Sequence, residues 1–172
     1  PPWEPFFVDA YKSVKDLGFT FKCKLRALGC DYFTYGAQYL FSKALKSVCE
    51  QSGVPGRFAS VRVEFSSGAV DDGRYLLFCP ADHRSVIDLE ASTYTTDVSG
   101  DAGRPMNHGP DFPLVPNLAR IDSFVVKQDA AAGASLFFCI DVGALVCTRH
   151  VAEAIGQAGL QALHSVQHDG RG

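Results

Sequence analysis

Hydrophobic residues at the start of the chain recur with the spacing of one helix face, and Gly18 follows where such a helix is expected to end. That face comprises Phe6, Phe7, Ala10, Tyr11, Val14 and Leu17. Directly afterwards, apolar and polar residues alternate from Phe19 to Leu25. Such alternation is typical of a half-buried strand, because successive side chains point to opposite faces of a sheet. The pattern therefore predicts a helix followed by a strand.

A strand–helix–strand unit is predicted twice further along the chain. Ser42 and Thr148 each precede a helical pattern, and their side-chain oxygens are suited to accept a first-turn N–H. Gly53 and Gly159 follow the two helical patterns, where a left-handed residue commonly ends a helix. The unit would run through 39–41, 43–51 and 60–65 in the first copy, and through 145–147, 149–157 and 162–166 in the second. This indicates a two-fold pseudo-repeat, although any short unit of this type shares the design.

Strand patterns fill the region between the two copies. The expected strands are Tyr75–Cys79, Val86–Leu89, Phe124–Val126 and Leu136–Ile140. The segment Ala91–Pro116 is rich in Gly, Pro, Ser, Thr and Asp and is expected to form a long loop, which in a compact domain is more often functional than not. We expect one α+β domain over residues 1–172, with a mostly antiparallel, strand-rich core and about three helices.

Composition narrows the class of protein. At 172 residues with 47% hydrophobic residues, the chain can bury a core and is not expected to be disordered. No apolar run approaches the roughly 20 residues that a membrane-spanning helix needs. The net charge of −3 argues against a general nucleic-acid binder that relies on phosphate contacts. We therefore expect neither a nucleic acid nor a membrane as the partner.

Charge is unevenly distributed along the sequence. Residues 64–111 contain three basic and nine acidic residues, a net charge of −6, whereas residues 1–63 contain nine basic and five acidic residues, a net charge of +4. A solvated surface is the simpler interpretation. The alternative is an acidic surface that accelerates encounter with a basic protein partner.

The six cysteines show no short-spaced framework and lie mostly in apolar runs, which favours buried free thiols in a reducing compartment. We therefore expect a cytoplasmic protein. Because the sequence begins Pro1-Pro2-Trp3 without an initiator Met, a periplasmic location stays open at this point.

Few residues suggest catalysis. Asp88 and Glu90 would share one face of a strand and could act with His83 or His108 in acid–base chemistry. Cys147 and His150 have the spacing of two zinc ligands, but Thr148 already accounts for this stretch as the start of a helix. No phosphate-binding glycine loop or dinucleotide motif is present. We expect no enzyme activity, no metal and no cofactor.

The order of motifs from Phe112 to Leu163 resembles a known family. A strand Leu136–Ile140 is followed by the step Leu145-Val146-Cys147-Thr148 into a helix and by the turn Ala158-Gly159-Leu160. In the first half, Tyr39-Leu40-Phe41-Ser42, Ser52-Gly53-Val54 and the acidic-then-serine segment Val86–Ser92 follow the same scheme. Over roughly residues 36–167 the chain resembles the α+β immunity proteins of bacterial polymorphic toxin systems, groups eleven and forty-three. One departure is Gln161-Ala162, where the family pattern has a glycine.

The resemblance implies an antitoxin that binds a cognate secreted toxin domain, one-to-one, and so protects the producing cell. We expect the contacts on the acidic segment and its long loop. The candidate contact residues are Asp72, Asp88, Glu90, Tyr94, Asp97, Asp101, Arg104, His108 and Asp111. Two alternatives stay open: a small hydrolase or transferase using Asp88 and Glu90 with a nearby histidine, and an adaptor module of a secretion system.

Overall fold

A computed structural model describes residues 19–35, 38–97 and 116–161. Their first half forms β1 (Phe19–Cys23), β2 (Tyr32–Tyr35), β3 (Gln38–Ser42), α1 (Lys43–Gln51), β4 (Gly56–Phe65) and β5 (Val70–Pro80). The second half forms β6 (His83–Arg84), β7 (Thr93–Thr96), β8 (Leu118–Ser123), β9 (Leu136–Cys139), β10 (Ala144–Cys147) and α2 (Arg149–Gln157).

The largest layer is a curled five-stranded sheet with the order β1-β4-β5-β3-β2. The long strands β4 and β5 form an antiparallel hairpin at its centre. β1 pairs with β4 in parallel, whereas β3 and β2 add antiparallel strands on the other side. Alternation from Phe19 to Cys23 therefore reflects a strand at the edge of the sheet.

Each face of this sheet has its own apolar cluster, because neighbouring strand residues point in opposite directions. Leu40, Val63 and Tyr75 lie in the cluster on one face, and Phe41 and Phe78 lie in the cluster on the other. The second cluster also contains side chains from both helices and β9, namely Leu45, Cys49, Leu136 and Ile155. Both helices therefore cover the same face.

A smaller sheet with the order β10-β9-β6 stands beside the helices, and β7 pairs with β8 in a separate two-stranded ribbon. The pairing of β6 with β9 is parallel, and that of β10 with β9 is antiparallel. None of the helices within the described ranges is long and apolar enough to cross a membrane.

The expectation of about three helices in the α+β fold is wrong. The described residues contain two helices, with 45% of these residues in strands and 15% in helices. The first helix predicted from the sequence, over residues 6–17, lies outside the described residues. Strand pairing therefore dominates this architecture more than the helical patterns indicated.

The two strand–helix steps of the predicted repeat adopt the same backbone geometry. The N-cap residue Ser42 has φ −66° and ψ 160°, and Thr148 has φ −70° and ψ 160°. Gly53 and Gly159 have φ values of 65° and 67°, the left-handed conformation expected after a helix. The returning strand predicted at 162–166 lies outside the described residues, so the full repeat stays a prediction.

Candidate functional site

The ribbon of β7 and β8 continues, at its base, into a second stretch of antiparallel pairing. The Asp88 N–H donates to the Val125 carbonyl at 2.7 Å, and the Lys127 N–H donates to the Val86 carbonyl at 2.8 Å. Ile87 and Val126 form a bridge between these two bonds. Residues 86–97 and 116–127 therefore form one extended hairpin, which we call the arm.

A buried carboxylate holds the base of the arm. Asp141, which is 4% exposed, accepts hydrogen bonds from the Val86 N–H at 2.6 Å and the Ile87 N–H at 3.0 Å. The Ser85 hydroxyl donates to its other oxygen at 2.8 Å, and the Cys139 thiol lies 3.6 Å from Oδ2. A buried carboxylate with several donors is compensated for its desolvation. Asp141 therefore fixes the arm to the turn between β9 and β10.

The middle of the arm contains a side-chain-stabilised turn. Asp88 Oδ1 accepts from the backbone N–H groups of Glu90 at 3.0 Å and Ala91 at 3.1 Å, and the Asp88 carbonyl accepts from the Ser92 N–H at 2.9 Å. Across the arm, the Val125 N–H donates to Ser92 Oγ at 2.9 Å. Asp88 thus acts as a turn residue. The sequence-based prediction of a strand over Val86–Leu89 is wrong, since the chain turns after the bridge at Ile87.

The outer part of the arm is mostly exposed. Tyr94 stands opposite Ile121 in the register and both are half-buried, whereas Thr93, Thr95 and Thr96 are exposed. On β8, Arg120 and Asp122 form an exposed ion pair with an Nε–Oδ1 distance of 2.9 Å. This part of the arm presents polar side chains around one aromatic–aliphatic pair.

The candidate contact residues fall into three groups. Asp88, Glu90, Tyr94 and Asp97 lie in the arm. Asp72 lies in the main sheet, opposite Arg62 in the β4–β5 register. Asp101, Arg104, His108 and Asp111 lie outside the described residues. Of the described candidates, the structure thus brings four of five into one hairpin.

Two acidic residues of the segment 64–111 form ion pairs with nearby arginines. Glu64 Oε1 lies 3.4 Å from the Nε of Arg62, and Asp82 Oδ2 lies 2.8 Å from an Nη of Arg84. The count of nine acidic residues in the sequence therefore overstates the negative charge that this segment presents to a partner.

Few side chains in the described part of the chain are suited to catalysis or metal binding. His83 packs beside Phe138 with ring centroids 5.4 Å apart. Within the described ranges, no group of three His, Cys, Asp or Glu side chains could hold a metal ion. Burial raises the thiol pKa of Cys49 to about 12 and that of Cys79 to about 12, because a desolvated thiolate is unfavourable. At neutral pH these thiols are protonated and poor nucleophiles.

Sequence reasoning did not identify the anchoring role of Asp141. Its position after the strand-like run Leu136–Ile140 indicates only a turn, and its donors lie 54 to 56 residues away. In the sequence, Ser92 stands out only as part of the acidic-then-serine segment Val86–Ser92. No protein-family model matches this sequence, and no curated protein shows significant similarity to it.

Proposed function

We propose that this chain is an immunity protein that binds a cognate secreted bacterial toxin, one-to-one, through the arm. The observation that carries the proposal is the arm itself: within the described residues its outer strands pair only with each other, while its base is fixed by Asp141. The β7–β8 ribbon is mostly exposed and therefore adds little to a core. A partner surface is a physical reason for the chain to retain it.

A fixed hairpin is well suited to tight binding. Association costs free energy for every segment that becomes ordered, and a preorganised surface lowers that cost. The Asp88 turn and the Ser92–Val125 contact order the arm in the free protein. Glu90 and Asp97 add negative charge near its outer strand, which would steer a basic toxin surface toward it.

The hydrolase or transferase alternative receives less support, whereas the adaptor alternative stays open. A hydrolase or transferase would use the Asp88 carboxylate on a substrate, yet its Oδ1 is occupied by two backbone donors. An adaptor of a secretion system would be expected to present a self-complementary apolar face or to associate with a secretion component. Measuring the size of the purified protein in solution tests whether it associates with itself.

We place the immunity protein in the cytoplasm, where a toxin would act on the producer and its kin.

The test is protection of a bacterial host from the product of the neighbouring open reading frame, because toxin and immunity genes are commonly adjacent. That product should arrest growth when expressed alone and should be harmless when this chain is co-expressed. A Glu90→Lys/Asp97→Lys variant should protect less well. Glu153→Lys, on the exposed side of α2 and outside the arm, serves as the matched charge-reversal control and should protect fully.

Absence of toxicity, or growth arrest that this chain does not relieve, would overturn the proposed function. Equal protection by the arm variant and by the control would overturn the assignment of the arm while leaving the antitoxin role in place.

A further inference from the structure

The outer edge of β7 carries backbone groups that β8 does not use. The Asp97 N–H donates to the Asn117 carbonyl at 2.9 Å, next to the pairing of Thr96 with Leu118. In an antiparallel ladder, residues adjacent to a hydrogen-bonded position direct their N–H and C=O groups to the opposite side. The backbone groups of Thr96, and by alternation those of Tyr94, therefore point away from β8. No described strand pairs with β7 on that side.

The two edges of the arm differ in how they are protected. Pairing along β8 shifts register twice, which leaves Ala119 and Asp122 as extra residues, and β8 carries the Arg120–Asp122 ion pair. Bulges and charged side chains are common devices that keep another strand from adding to an edge. β7 reads Thr-Tyr-Thr-Thr, with no charge, proline or glycine and no extra residue. The edge of β7 is thus better suited than that of β8 to pair with an added strand.

The negative charge near β7 favours an added strand with basic ends over a second copy of this chain. Glu90 precedes the strand and Asp97 follows it directly. A second copy of this chain would bring acidic residues close to acidic residues at both ends, whether it added in the parallel or the antiparallel sense. Like charges brought close together at the two ends of a strand pair repel each other and disfavour the pairing. A strand with basic residues at its ends has the complementary charge.

We infer that the edge of β7 receives an extended segment of the partner protein, added as a third strand of the arm. The segment is uncharged and rich in β-branched residues in its middle and carries Lys or Arg at both ends. Main-chain hydrogen bonds to Tyr94 and Thr96 supply affinity, and the end charges supply register and selectivity. The identity of the partner as a toxin rests on the proposed function, whereas the chemistry of the edge does not.

The test uses a synthetic peptide, Lys-Thr-Val-Thr-Val-Thr-Lys, and amide hydrogen exchange of the full chain followed by NMR. Peptide binding should slow exchange at Tyr94 and Thr96 by about tenfold or more at saturation, because their outward amides gain acceptors. Exchange at Thr95, whose amide already faces β8, should change little. A peptide with Glu in place of both Lys residues should bind more weakly, and the difference should shrink at high salt.

A variant pair isolates the backbone contribution. Thr96→Pro removes one outward N–H, and proline is tolerated at edge positions whose N–H faces solvent. Thr96→Val removes the hydroxyl but keeps the N–H. Slower exchange at Tyr94 should persist in Thr96→Val and disappear in Thr96→Pro. Unchanged exchange at the inward-facing amides of the free variants shows that the arm is intact.

Slowed exchange at another sheet edge, such as that of β2 or β10, or no slowing at any residue, would overturn the inference. So would equal peptide binding by the proline and valine variants. These outcomes are separable from the growth assay: protection of cells without peptide addition at β7 would refute the strand-addition mode alone.

Discussion

The carboxylate of Asp141 accepts a 2.6 Å hydrogen bond from the backbone N–H of Val86, and this contact joins the turn after β9 to the base of the arm. The Ile87 N–H donates to the same oxygen, and Ile87 forms a bridge with Val126 on the opposite side of the arm. The position of the arm therefore depends on this buried carboxylate together with the packing of Val86 and Phe124 against Phe137 and Cys139.

Asp141→Asn should lower the free energy of unfolding by about 2–3 kcal/mol, because an amide accepts fewer hydrogen bonds than a carboxylate and leaves buried donors unsatisfied. Urea unfolding measures this loss. Exchange at the Val86 and Ile87 amides should also accelerate. Asp129→Asn is the matched control, since Asp129 is exposed and has φ 64°, a conformation that asparagine tolerates. Equal losses in both variants would contradict the anchoring role.

Ser42→Ala should destabilise the protein more than Thr148→Ala. Ser42 Oγ accepts from the Leu45 N–H at 3.1 Å and donates to Asp31 Oδ1 at 2.7 Å, whereas Thr148 makes no side-chain cap bond. We expect a loss of about 1–2 kcal/mol for Ser42→Ala and a clearly smaller loss for Thr148→Ala, both measured by thermal and urea unfolding. Similar losses would show that the two caps are energetically equivalent.

Gly56→Ala should cost about 1–3 kcal/mol, because overpacking forces neighbours to shift. A Cβ at this position would lie 2.5 Å from a ring carbon of Phe78 and 2.7 Å from the Cys79 carbonyl oxygen. Gly29→Ala is the control: nothing lies within 4 Å of a Cβ there. Urea unfolding compares the two, and a neutral Gly56→Ala would refute the close packing of β4 on β5.

Stability should fall as the pH rises from 7.5 to 10. The thiols of Cys49 and Cys79 ionise near 9.0 when unfolded, whereas burial raises their folded pKa to about 12. The stabilisation is thus fully present below pH 9 and is lost above it, since the unfolded state then releases protons that the folded state retains. Each thiol should contribute a loss of about 1.4 kcal/mol by pH 10. The double variant Cys49→Val/Cys79→Val should show a flatter dependence of unfolding free energy on pH; an unchanged slope would contradict the prediction.

The Glu90→Lys/Asp97→Lys variant should associate more slowly with the proposed toxin partner and show a weaker dependence of the association rate on salt. Complementary charge accelerates encounter, and screening removes that acceleration. Stopped-flow association at low and high salt measures both effects, with Glu153→Lys as control. An association rate that matches the control at every salt concentration would place the contact elsewhere.

Much of the local structure was predictable from the sequence. The strand predicted over 60–65 is the second half of β4, and the Ser42 and Gly53 signals set both ends of α1. Prediction failed at residues 93–96, which were expected in a loop and form β7, and at residues 124–126, which follow the end of β8. It also failed at residues 86–89, where four apolar and acidic residues looked like a strand. There the Asp88 side chain competes with the ladder for backbone donors and turns the chain.

The structure brings together part of the contact set that the sequence predicted, and the role of these residues as contacts stays a prediction. The acidic segment predicted four of the described residues as contact residues, and the fold gathers these four into the arm: Asp88, Glu90, Tyr94 and Asp97. That segment also contains Glu64 and Asp82, which form ion pairs with Arg62 and Arg84, so neither carboxylate is an isolated negative charge.

The sequence by itself determined where α1 and α2 begin and end, because caps and glycines act over a few residues. Tertiary structure alone decided that β1 joins β4 in parallel and that β7 and β8 form a separate arm. It also decided that Asp141 anchors residues more than fifty positions earlier. Such contacts depend on how distant segments pack. A short-range sequence pattern therefore does not predict which groups a buried carboxylate or a strand edge will contact.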